Sequence, residues 1–145
     1  MKKIILLGAF VAATFMVNAQ QAGKVFVGKS EGKQFQFGSE KSTNIVLNAV
    51  KAYNSNVTEE YSKFWSAEMI AKYKSQAQDP QKEYKAVVNK PMAIVPLKVD
   101  GQANEVVLLQ STEERQYKNG AKQNLDLFEL FFVDKAGKLA NFQQY

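Results

Sequence analysis

The second half of this chain restricts its fold more than any other part. From Pro91 to Tyr145, apolar and alternating runs are separated by three turn sequences: Asp100-Gly101, Asn119-Gly120 and Asp134-Lys135-Ala136-Gly137. This spacing predicts an antiparallel meander of four strands, Met92 to Val99, Glu105 to Tyr117, Gln123 to Val133 and Leu139 to Tyr145. Asn-Gly is the most specific of these signals, because it tolerates the positive φ that a tight hairpin needs. Read as a two-residue loop, it also fixes a register. Val106/Val133, Leu108/Phe131, Gln110/Glu129 and Thr112/Leu127 then share one face, by the two-residue period of strands. Glu129 becomes a lone carboxylate among Leu125, Leu127, Phe131 and Val133, with Gln110 as its partner. Burying an unpaired charge is costly, so Glu129 must be protonated, paired or beside a water-filled cavity. A half-exposed strand glutamate near the sheet rim is the plainer alternative. Asp126 falls on the other face, diagonal to Arg115, where a surface ion pair is expected.

Helical patterns precede the meander. Ile45, Val46, Ala49, Val50 and Tyr53 form one apolar stripe over Ser42 to Asn54. Asn54-Ser55-Asn56 ends that helix, since these side chains compete for backbone hydrogen bonds. A second helix starts at Val57 or Thr58, with Glu59 and Glu60 at its positive end and Tyr61, Phe64 and Trp65 on its apolar side. Ala67 to Ser75 suits either more helix or a first strand. Asp79-Pro80 is a helix-start signal, predicting a third helix through about Val88. Helices followed by an antiparallel meander make an α+β domain.

The first residues have a different character. Lys2 and Lys3, an apolar run from Ile4 to Val17, and small residues up to Ala19 have the anatomy of a secretory signal peptide. The run is shorter than the ~20 apolar residues of a spanning helix. Residues 1–19 are therefore read as a signal and the remaining chain as exported, periplasmic or secreted, with no membrane attachment after signal removal. Residues 20–40 form a leader that could close as a loose hairpin around Ser30-Glu31-Gly32, and 41–145 form the domain.

Composition narrows the chemistry. The chain has no Cys and no His, which removes disulfides, thiolate metal sites and the commonest general base near neutral pH. Neither a metal nor a cofactor is indicated. The net charge of +5 is scattered, without the clustered basic face of a nucleic-acid binder.

Order and spacing carry one further reading. Val50-Lys51-Ala52-Tyr53-Asn54-Ser55-Asn56, then Tyr61 and Phe64-Trp65, then Leu127 to Asp134 with Gly137-Lys138-Leu139, resemble the nuclear-transport-factor-2-like superfamily. That group is similar in fold to ketosteroid isomerase and the SnoaL-like cyclases. The resemblance covers about Gly38 to Tyr145. It implies a cone-shaped, curved antiparallel sheet packed on three helices, the cystatin-like roll, with a ligand pocket on the concave side. On this reading Glu129, Gln110, Thr112, Trp65 and Phe131 line the pocket, and Glu129 lies near the position of the isomerase oxyanion acid. The isomerase base is missing, because Ala71-Lys72-Tyr73 stands at its approximate place. Ala49 stands near the place of the acid-donating tyrosine. No catalytic residue is therefore assigned. The expectation is a non-catalytic binding or interaction module for a small hydrophobic ligand, dimerising through an outer sheet face that includes Leu109, Leu130 and Phe132. The alternative is an isomerase, cyclase or dehydratase using Glu129. A purely structural protein would instead show the pocket packed shut by Phe131, Phe142 and Trp65.

Overall fold

The computed structural model describes residues 21–24, 31–75 and 84–145. The signal segment at 1–19 and the Asp79-Pro80 helix start lie outside the described residues. Among the described residues, strands β1 (Gln21–Lys24) and β2 (Gln34–Phe37) precede helices α1 (Glu40–Tyr53), α2 (Thr58–Ser62) and α3 (Ala67–Ser75). Four longer strands follow: β3 (Tyr84–Val99), β4 (Glu105–Tyr117), β5 (Lys122–Val133) and β6 (Leu139–Gln144). The six strands of the described residues form one antiparallel sheet in sequence order, making an α+β fold with an open sheet and helices packed on it. No helix among the described residues is long and apolar enough to cross a membrane.

Helix α1 begins where the sequence supplies a cap. Ser39 is extended (φ −85°, ψ 148°), and its Oγ accepts from the Ser42 amide at 3.2 Å. Glu105 at the start of β4 completes this cap. Its Oε2 accepts from Ser39 N at 2.9 Å, Ser39 Oγ at 2.8 Å and Ser42 Oγ at 2.5 Å. Gly38 sits against the same carboxylate, and a Cβ there would lie 3.0 Å from Glu105 Oε2 and 3.1 Å from the Leu97 amide nitrogen. Val46, Ala49 and Val50 of α1 then meet Val107, Leu109, Phe131, Val133 and Leu139 of the sheet. Trp65 and Met69 close the same core.

The expected third helix through Val88 is corrected. From Tyr84 the chain is already strand, pairing with Tyr117 back to Glu114 of β4. Tyr84, Val87 and Val88 suit a strand, and the ladder to β4 outweighs any local start signal. Pro91 disguised the continuity, since a proline inside a run usually argues against a strand. Here it flanks a β-bulge between Pro91 and Ala93, one of the places where a strand tolerates proline. Ala67 to Ser75, left open by the sequence, is helix.

The β4–β5 turn is also corrected. It is a three-residue loop, Lys118-Asn119-Gly120. Gly120 N donates to Tyr117 O at 3.0 Å, Tyr117 N donates to Ala121 O at 2.9 Å, and Gly120 takes φ +88°. This is the type I turn with a left-handed third residue, in which only the glycine needs positive φ. The register therefore moves by one residue, giving Leu109 opposite Glu129 and Thr112 opposite Asp126. A slip of one residue turns every side chain of one strand to the other face. The β5 assignments survive and the β4 assignments reverse. Val107, Leu109, Ser111 and Glu113 are buried beneath the helices, and Gln110 is exposed.

Candidate functional site

A polar cluster interrupts the core where the C-terminal end of α1 crosses β3, β4 and β5. Its buried members are Asn89, Ser111, Glu113 and Glu129, each no more than 4% exposed. Strand alternation puts them there. Val87 and Asn89 of β3, Leu109, Ser111 and Glu113 of β4, and Leu127 and Glu129 of β5 are all inward residues of neighbouring strands.

Glu129 Oε2 accepts from Ser111 Oγ at 2.8 Å and from Asn89 Nδ2 at 3.1 Å, and the same Nδ2 donates to Ser111 Oγ at 3.0 Å. Its other oxygen, Oε1, has a 3.5 Å contact from Gln144 Nε2. Glu113 Oε1 accepts from Arg115 Nε at 2.5 Å, and the guanidinium lies 5.3 Å from the Tyr84 ring centroid. Burial raises the Glu129 pKa above the ordinary 4.5, and the nearby Glu113 charge adds to this. The hydrogen bonds from Ser111 and Asn89 oppose the shift without cancelling it. The Tyr53 hydroxyl on α1 is pushed well above its usual range, first by burial and then by the Glu113 carboxylate that it faces. It is a neutral phenol throughout the physiological range.

Asn89 is held from both sides of its own residue. Its backbone N donates to Asn54 Oδ1 at 2.7 Å, and its backbone O accepts from Asn54 Nδ2 at 2.8 Å. Asn56 repeats the pattern two residues away, accepting from Val87 N at 2.9 Å and donating to Val87 O at 3.3 Å. Asn56 reaches this position with φ +57°, a conformation that asparagine tolerates better than most residues. Two side-chain amides thus pair with the β3 edge much as a neighbouring strand would. The Asn89 side chain is fixed as well, yet its Oδ1 is buried with no hydrogen-bond partner. Most buried polar atoms in folded proteins have at least one partner, which singles this oxygen out.

The structure brings together some of the sequence-assigned residues and separates others. Glu129 is buried, as the alternation of β5 requires, so the half-exposed rim alternative is excluded. Gln110 is not its partner. It is exposed on the opposite face across from Phe128, because of the register slip. Thr112 lies on that same face and donates to Asp126 Oδ1 at 3.1 Å. The expected Asp126–Arg115 pair does not form, because Arg115 faces inward onto Glu113. Trp65 and Phe131 are in the core. Phe142 packs against both, with ring centroids 6.2 Å from Trp65 and 5.0 Å from Phe131. This is the packing expected of a purely structural protein, so a binding reading has to rest on the polar cluster and not on these aromatics. Leu109, expected on the outer face, is fully buried in the inner core.

Asn89, Ser111 and Glu113 were missed. For Ser111 and Glu113 a sequence signal existed, because a three-residue Lys118-Asn119-Gly120 loop would have turned both inward. For Asn89 the expected helix through Val88 hid the strand that carries it. No protein-family model matches the chain, and no curated protein matches it.

Proposed function

We propose that this chain is a non-catalytic binding module that takes a small, largely hydrophobic ligand at the Asn89–Ser111–Glu129 cluster. The observation that carries the reading is the buried, unpartnered Oδ1 of Asn89, beside a carboxyl group raised by burial. A hydrogen-bonding group of a ligand would satisfy that atom, while the ligand's apolar part would lie along the neighbouring core. A few placed polar groups within an otherwise apolar surrounding is the usual form of a small-molecule site. The finer fold goes with the reading: a nuclear-transport-factor-2-like roll, supported by the order of helices and meander strands. Export, periplasmic or secreted, is supported by the signal-like residues 1–19 alone.

Interaction through the outer sheet face is a second use of the same fold. That face carries Val95, Leu108 and Leu130 in one cross-strand row and Leu97, Val106 and Phe132 in the next. Phe128 beside them is 46% exposed. A second copy of the chain is the partner proposed for it.

Native mass spectrometry of the protein purified from its own host tests the binding reading. A small molecule retained by the wild type and lost from Glu129→Gln is expected. A ligand-free protein, with Glu129→Gln indistinguishable from wild type in capture and in thermal stability, would overturn it.

A further inference from the structure

The turn after α1 is joined to the sheet in a way that ending a helix does not require. Backbone bonds already close the helix: Asn54 N donates to Val50 O at 2.9 Å, Ser55 N to Ala52 O at 3.1 Å and Asn56 N to Tyr53 O at 3.0 Å. The side-chain amides go to the β3 edge instead. Asn54 takes both polar backbone groups of Asn89, and Asn56 takes both of Val87. Positions 54 and 56 are two apart, as are 87 and 89, and their order is antiparallel. The arrangement copies the pairing of a short strand. Asn56 Nδ2 also donates to Asn54 O at 3.0 Å, which ties the two residues together. Among the described residues Asn56 is the one non-glycine with positive φ. A glycine would take that conformation without strain, so the turn alone does not call for an amide there.

What the amides cover is a regular stretch of an edge that is otherwise blunted. β2 pairs with β3 only from Leu97 to Val99. Just before it, Pro96 has no N–H, and its O accepts from Gly38 N at 2.8 Å. Pro91 also lacks an N–H, and the bulge between Pro91 and Ala93 breaks the period of the ladder. Prolines and bulges make an edge unfit for a further strand. Val87 to Asn89 has neither. Its pairing with β4 runs unbroken from Ala86 to Pro91, so the groups that face away from β4 are evenly spaced.

We propose that Asn54-Ser55-Asn56 is a strap that keeps this β3 edge from pairing with the same edge of a second copy of the chain. Two copies suit each other. In an antiparallel pair centred on Val88, Val87 of one chain stands opposite Asn89 of the other. Every backbone group that the strap releases then finds a partner. The two Val88 side chains meet on the outer face, where a cross-strand apolar pair adds to the contact. This edge is distinct from the outer-face contact above, and in the folded chain the strap closes it.

The test uses the full chain carrying Leu130→Lys, which breaks the proposed outer-face contact. Asn54→Ala and Asn56→Gly are added together, and Gly120→Ala in the same background controls for a general loss of stability. Sedimentation velocity reads the oligomeric state, and amide exchange at Val87 and Asn89 reads the state of the edge. With the strap intact, a monomer with slow exchange at both amides is expected. Without it, the chain should shift to a dimer as concentration rises, with both amides fast in dilute solution and slow again in the dimer. A strapless chain that stays monomeric at every concentration would overturn the proposal, whether the two amides are fast or slow. So would a dimer in which they stay fast, or equal association of the Gly120→Ala control. If the double replacement does not fold, Asn56→Gly alone frees Val87, and the dependence of its exchange on concentration decides in the same way.

Discussion

Glu105 and Glu129 lie on neighbouring strands, and their surroundings move them in opposite directions. Burial works to raise Glu105, but the hydrogen bonds from Ser42 and Ser39 outweigh it and the pKa falls below 4.5. Glu105 therefore contributes stability above its ordinary titration range, and this is lost as pH drops through its folded value. Glu129 is raised, so its contribution is complete below 4.5 and is lost as pH climbs through its folded value. Two outcomes are expected in melting temperature measured against pH. Glu129→Gln should remove the decline on the alkaline side and should be at least as stable as wild type at pH 8. Its advantage should vanish near pH 4. Glu105→Ala should cost about 1 kcal/mol at pH 7, the usual value of a lost helix cap, and should flatten the acid limb. A Glu129→Gln variant with an unchanged alkaline limb would show that its carboxyl is ionised in the folded protein.

At the scale of elements, β3 depends on groups outside the sheet. β2 pairs only with Leu97 to Val99, so the Val87–Asn89 edge relies on Asn54 and Asn56. Asn54→Ala should destabilise the protein by about 2 kcal/mol, because the Asn89 backbone groups lose two partners at once. Amide hydrogen exchange at Asn89 should accelerate at the same time, which a loss of helix propensity alone would not cause. The β4–β5 turn offers a cleaner measurement. A Cβ at Gly120 meets nothing within 4 Å, so Gly120→Ala tests backbone strain alone at φ +88°. A cost of about 1 kcal/mol in urea unfolding is expected. The same turn shows why element positions were easier to read than element faces. Asn119-Gly120 correctly marks a hairpin between two strands, yet a two-residue and a three-residue loop differ by one residue of register. That residue exchanged Gln110 and Thr112 for Ser111 and Glu113.

Taken whole, the molecule has two unlike surfaces on one sheet. The inner surface packs its apolar part against α1, Trp65 and Met69. The outer surface keeps Val95 at 38% exposure and Phe128 at 46%, beside the Leu108–Leu130 row. An apolar patch of this kind commonly marks an interface. Concentration-dependent association in sedimentation velocity is expected. Leu130→Lys should abolish it and leave the melting temperature within a few degrees of wild type. A wild type that sediments as a monomer at every concentration would remove the homodimer proposal.

The sequence by itself determined the class of fold, the helix stripe at Val46, Ala49 and Val50, the strands β4, β5 and β6, and the strand face on which Glu129 lies, though not its burial. All of these follow from periodicity within one segment, which the chain carries locally. Only the tertiary structure decided which residues stand beside Glu129. That choice depends on the loop geometry at Gly120, on a strand continuing through Pro91, and on asparagines 35 and 31 positions away from their partners. Contacts between distant segments are set by the free energy of the assembled sheet, and no local pattern in the chain records it.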